Sequence, residues 1–166
     1  MKHAIPAALL TVLFLAPSVR AQTRPDFSGT WQMDASRSQS AVQNEPIRSM
    51  TLVIKQTDPE LSIETRRDGK QMMVTYRPGT PDTLNANAGR STLLASTWYW
   101  DGPRLVTETL RDVSGATVRT KEVHALNSGA TEMTVETLVV VEHGYTLRGA
   151  QNYGAGKDVF KKVSVP

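Results

Sequence analysis

The chain contains no cysteine. That absence excludes a disulfide framework, thiolate zinc sites, a cysteine nucleophile and a lipid anchor on a cysteine after the N-terminal apolar run. Stability must then come from burial and hydrogen bonding. Histidine is nearly as scarce, with three in 166 residues. His124 and His143, the two beyond the N-terminal run, have no partner at ligand spacing and read as an exposed strand histidine and a turn histidine. No metal site and no cofactor is expected. No Gly-x-Ser-x-Gly elbow occurs, so no catalytic residue is nominated. Gly154-Ala155-Gly156-Lys157 lacks the spacing of a phosphate loop and no helical pattern follows it, so it reads as a hairpin turn.

Long hydrophobic runs are missing except at the start. Lys2 and His3 precede an apolar stretch from Ala4 to Ala16, and Val19-Arg20-Ala21 supplies small residues at a cleavage site. This layout predicts a signal peptide over residues 1–21, with the mature protein, residues 22–166, periplasmic or secreted. The run is shorter than the roughly 20 residues of a membrane-spanning helix, so no membrane span is expected. Removing it leaves 145 residues, a length suited to one domain, and takes Lys2 and Arg20 away, leaving 17 basic against 16 acidic residues. With Arg66-Arg67 and Lys161-Lys162 as the longest basic runs, no nucleic-acid partner is expected.

Helical periodicity is nearly absent. The chain reads instead as short runs rich in Val, Thr, Leu, Ile and aromatics, from Phe27 to Val165, separated by turn residues. Asp68-Gly69, Asp101-Gly102, Ser114-Gly115, Asn127-Ser128-Gly129 and His143-Gly144 suit tight reversals, so sequence neighbours should pair antiparallel. The stretches Ala35 to Ser49 and Pro78 to Arg90 read as excursions over a barrel end. Leu61, Ile63 and Thr65 alternate with Ser62, Glu64 and Arg66, and Met133, Val135 and Thr137 with Thr134, Glu136 and Leu138, so one face is solvated. Glu132, Glu136 and Glu142 fall on that face. A meander of this length escapes open edges by closing, which predicts an all-β, antiparallel up-and-down barrel of about eight to ten strands, with a two-sheet sandwich as the alternative.

Phe27-Ser28-Gly29-Thr30-Trp31 resembles the opening strand of lipocalin-like, calycin-type proteins, with their Gly-x-Trp at Gly29 to Trp31. It is most similar to small exported bacterial members, where this strand follows closely on the signal peptide. The resemblance implies a barrel in which Trp31 plugs the closed end beneath a basic side chain from a late strand, Arg148 or Lys161.

Trp98-Tyr99-Trp100 is the most unusual local feature. Trp98 and Trp100 share a strand face, with Leu94 and Ser96 on it too, and read either as an aromatic wall at a barrel mouth or as core. Alternation and size nominate Trp31, Met33, Ile63, Tyr76, Trp98, Trp100 and Tyr145 as cavity lining. The leading function is then binding of a small hydrophobic or amphipathic ligand without chemistry. The alternatives are a filled barrel that docks an envelope protein partner and a barrel-cavity enzyme. An open aromatic cavity favours the first, a packed interior the second, and a cavity with converging buried polar groups the third.

Overall fold

The computed structural model describes residues 24–41, 47–80, 85–86, 93–143 and 153–163. The proposed signal peptide and its cleavage site, Tyr145, Arg148 and the turn at Gly144 lie outside them. Ten strands form one sheet: β1 Gly29–Met33, β2 Met50–Gln56, β3 Leu61–Arg67, β4 Lys70–Pro78, β5 Asn85–Ala86, β6 Leu93–Asp101, β7 Arg104–Val113, β8 Ala116–Leu126, β9 Glu132–His143 and β10 Tyr153–Val163. Sequence neighbours pair antiparallel from β1 to β4 and from β6 to β10, and β1 joins the two runs by pairing with β10.

Closure comes from β4 against β6, at Arg77 to Thr97 and Pro78 to Trp98, giving a nine-stranded barrel. That pair is parallel, and among the described residues one strand, β5, lies between its members in the chain and runs antiparallel to β6. Ser96 and Thr97 strengthen the seam by donating hydroxyl hydrogen bonds to the carbonyls of Thr75 and Arg77, at 3.0 and 3.2 Å. β5 continues the same edge of β6, opposite Ala95 and Ser96.

Two-residue turns fix the register. Asp68-Gly69 and Ser114-Gly115 carry positive φ at both positions, the primed geometry that matches strand twist. The reversal after β6 uses Gly102-Pro103, with Asp101 still in the strand and ion-paired to Arg104. Gly154 to Lys157 is not a turn. All four residues lie within β10, paired along β9. Gly156 is needed for a close approach instead, since a Cβ there would lie 2.1 Å from the Ala41 nitrogen. The chain after β1 makes a short 3-10 turn, Ala35–Arg37, then runs on along β10 with two Gln39–Lys157 backbone hydrogen bonds of 2.8 Å.

One barrel end is the floor. Residues 24–28 cross it, held by Gln56, whose side chain accepts from the Phe27 amide and donates to the Pro25 carbonyl. Phe27, Trp31, Leu61, Leu105 and Met133 are fully buried in the core cluster. The Trp31 indole donates to the Phe27 carbonyl at 2.9 Å, and the Lys162 ammonium lies 5.2 Å from its ring centre. The covering cation is therefore Lys162 and not Lys161. Strand parity decides it: Lys162 sits directly opposite Trp31 and shares its face, whereas Lys161 points outward and pairs with Asp34 at 2.8 Å. Gly29, at φ +136°, leaves room for that lysine, for a Cβ would stand 2.8 Å from Lys162 Cε. The Gly-x-Trp pattern thus has a local cause.

Candidate functional site

Above the floor the barrel holds a cavity of about 230 Å³. The strand registers stack its lining in layers. Leu105, His124, Val135 and Asp158 lie opposite one another across β7 to β10, and Thr107, Glu122, Thr137 and Gly156 form the next layer towards the mouth. Thr109 faces Thr120 above them, and Arg111 faces Val118 at the rim. This wall is polar. The opposite wall comes from β2 to β4, with Met50, Leu52, Ile63, Met72 and Val74, and Phe160 adds an aromatic ring.

A hydrogen-bonded group occupies the polar wall. The Thr107 hydroxyl donates to Glu122 Oε2 at 3.3 Å and lies 3.4 Å from His124 Nε2, and Nε2 itself stands 3.6 Å from Glu122 Oε2. His124 is only 1% exposed, which corrects its reading as an exposed strand histidine. The Glu122 side chain is one-third accessible, at 33%, on a strand face that points into the cavity. Burial raises its carboxyl, but the hydrogen bonds and charges of His124, Thr107 and Arg111 outweigh burial and hold it below the ordinary carboxylate range. Asp158 is 6% exposed and accepts from the Ser40 hydroxyl at 2.6 Å. Burial pushes its carboxyl up, the Ser40 bond opposes, and the Glu122 charge adds to the rise. Burial likewise pushes up the Tyr76 phenol, beside Thr107.

This is the outcome in which polar groups converge inside a cavity, so its geometry must be weighed for chemistry. A nucleophile relay needs the hydroxyl on one imidazole nitrogen and the orienting acid on the other. Here Thr107 and Glu122 share Nε2, while Nδ1 is buried without a partner among the described residues. The arrangement positions polar groups without activating the hydroxyl. No group of three or more metal-type ligands occurs among the described residues.

Of the nominated residues, the structure brings Ile63 and Tyr76 into the cavity wall. Trp31 and Met33 belong to the core cluster and do not line the cavity. Trp98 and Trp100 stand at the floor and not at the mouth, because β6 runs towards the floor and they are at its end. Trp98 is 4% exposed; the two indoles meet edge to face at 5.9 Å, and Trp100 lies 6.1 Å from Phe27. Leu94 leaves their face because the strand bulges between Leu93 and Ala95, and it is exposed. Thr107, Arg111, Glu122, His124 and Asp158 were not nominated. The signal that could have found them was parity on β8, where Thr120, Glu122 and His124 alternate with Arg119, Lys121 and Val123.

The sequence matches no protein-family model and no curated protein. Solved structures share its fold. An abundant heat soluble (SAHS) protein of Ramazzottius varieornatus is 12% identical with a TM-score of 0.51, over 82% of this chain and 94% of that one. Human cRBP IV is 16% identical with a TM-score of 0.50, over 84% of this chain and 99% of that one. A point mutant of the REP1-NXSQ fatty acid transporter is 13% identical over 82% and 98%, with a TM-score of 0.48. The likeness to the first two is one of fold, that of a calycin-type barrel.

Proposed function

We propose that this calycin-type barrel is an exported binding protein for one small amphipathic molecule, held by burial and hydrogen bonding without reaction. The observation that carries the reading is the two-sided cavity, an aliphatic wall from β2 to β4 facing a hydroxyl-rich and charged wall from β7 to β10. Ligand pockets combine a mostly apolar lining with a few placed polar groups. The volume speaks for a small occupant: about 230 Å³ is near eight waters at roughly 30 Å³ each, and below the ~300 Å³ where drug-sized pockets begin. Export is supported by the basic, apolar and small-residue regions of residues 1–21, and the mass of protein recovered from its own host should correspond to a start at Gln22.

Thr120→Trp tests the site. Thr120 lines the upper cavity, and an indole there fills the space a ligand would take. The wild-type protein is expected to retain a small molecule or an environment-sensitive apolar probe in native mass spectrometry and fluorescence titration. The variant should keep its denaturation midpoint and lose that binding. A wild type that binds nothing, or a variant that binds equally well, removes the reading.

A further inference from the structure

We propose that the polar end of the ligand is a protonated nitrogen, an alkyl- or arylalkyl-ammonium group, seated between Glu122 and Asp158 with its apolar body against Leu52, Ile63, Val74 and Phe160. The inference rests on the binding reading above and names the ligand class for that cavity.

The charge on the cavity wall is segregated by depth. Both carboxylates lie in the two lower layers, and the one arginine among the described lining residues, Arg111, joins the wall at the rim level of β7. Four residues of β7 separate Arg111 from the Thr107 layer, roughly 13 Å along the backbone at the usual strand rise, although the Arg111 charge still reaches Glu122. Among the described residues no lysine or arginine nitrogen comes within 4.0 Å of Glu122 or Asp158. Their own partners are weak for charged groups: Thr107 and His124 for one oxygen of Glu122, and the Ser40 hydroxyl for one oxygen of Asp158. The second oxygen of each accepts no hydrogen bond from the described residues, although Asp158 is only 6% exposed and lines the cavity.

Asp158, buried with one hydroxyl partner, demands a compensating cation or further donors, because taking the charge out of water is costly. An ammonium supplies both at once, with three N–H donors and a full positive charge. The Asp158 carboxyl is raised chiefly by burial, and the Glu122 charge adds to it, a repulsion that a cation between the two would relieve. A carboxylate ligand would add a third negative charge at this depth, with only the His124 ring and Arg111 in its favour. A neutral alcohol could donate one hydrogen bond and leave the charges as they are.

Three probes that differ only in the polar end decide the matter: octylamine, octan-1-ol and octanoate, each of nine or ten non-hydrogen atoms, titrated calorimetrically into the full chain at neutral pH. Octylamine is expected to bind at least tenfold more tightly than octan-1-ol, and octanoate more weakly than either. Glu122→Gln should remove at least tenfold of the octylamine affinity and leave octan-1-ol unchanged, and Arg111→Ala should not weaken octylamine. Asp158→Asn serves as the second variant should Glu122→Gln not fold. Octanoate or octan-1-ol binding as tightly as octylamine overturns the ammonium inference and leaves the binding barrel standing. Failure of all three probes, with no retained small molecule, overturns both.

Discussion

Trp31 and Trp98 offer two buried indoles in one core that differ in the hydrogen bonding of their ring nitrogens. The Trp31 Nε1–H donates to the Phe27 carbonyl at 2.9 Å, whereas the Trp98 Nε1 is buried with no hydrogen-bond partner among the described residues. Replacing each by Phe removes the same atoms and leaves a similar void, so packing losses largely cancel when the two variants are compared. At Trp31 the change leaves a buried carbonyl short of its donor, a loss of about 1 to 3 kcal/mol. At Trp98 it deletes a donor that the folded state had already failed to satisfy, relieving a penalty of about the same size. Trp31→Phe should therefore be less stable than Trp98→Phe by roughly 2 to 6 kcal/mol. For a urea dependence of about 1 to 3 kcal/mol per molar, that separates the midpoints by on the order of 1 M or more. Urea melts followed by far-ultraviolet circular dichroism make the measurement. Coincident midpoints would refute the account of the floor.

Gly156→Ala drives a Cβ into the backbone of residues 39–41 and should detach that segment, with the Gln39–Lys157 hydrogen bonds, for about 2 to 4 kcal/mol; loss of hydrogen-exchange protection at both amides and a lowered urea midpoint report it, and full protection would count against it. Asp34, held by the Lys161 ammonium and the Ser36 hydroxyl, titrates at about 2 instead of its ordinary 3.8. Its contribution to stability is therefore complete above the unfolded value and is lost as pH falls towards 2. The wild type should lose more stability than Lys161→Ala between pH 5 and pH 2.5, and parallel losses in both would show that the pair contributes nothing.

Much of the barrel was legible from local rules. β3, Leu61–Arg67, carries strict alternation between two turn signals, and its limits follow directly. Asp68-Gly69 and Ser114-Gly115 admit positive φ at both turn positions, so their hairpins are written in two residues. Gly154-Ala155-Gly156 misled because glycine reads the same whether the backbone must turn or another backbone must come close. Only the placement of residues 39–41 separates those cases, and it depends on the pairing of β1 with β10, the first and last strands of the sheet in chain order.

The site was less legible for a related reason. On β3 hydrophobicity marks the inner face, but β8 is polar on both faces, with Thr120, Glu122 and His124 on one and Arg119, Lys121 and Val123 on the other. Nothing in β8 alone says which set is inside. The answer comes from its neighbours: Val135 opposes His124 and Leu105 opposes it from the other side, and both are core residues. Residues directly opposite across a ladder share a face, so the apolar parity of β7 and β9 carries Glu122 and His124 inward. Large aromatic side chains drew attention to Trp98 and Trp100, yet size fits a floor as well as a wall. Strand direction decides between them, because a strand that enters at the mouth delivers its last residues to the closed end.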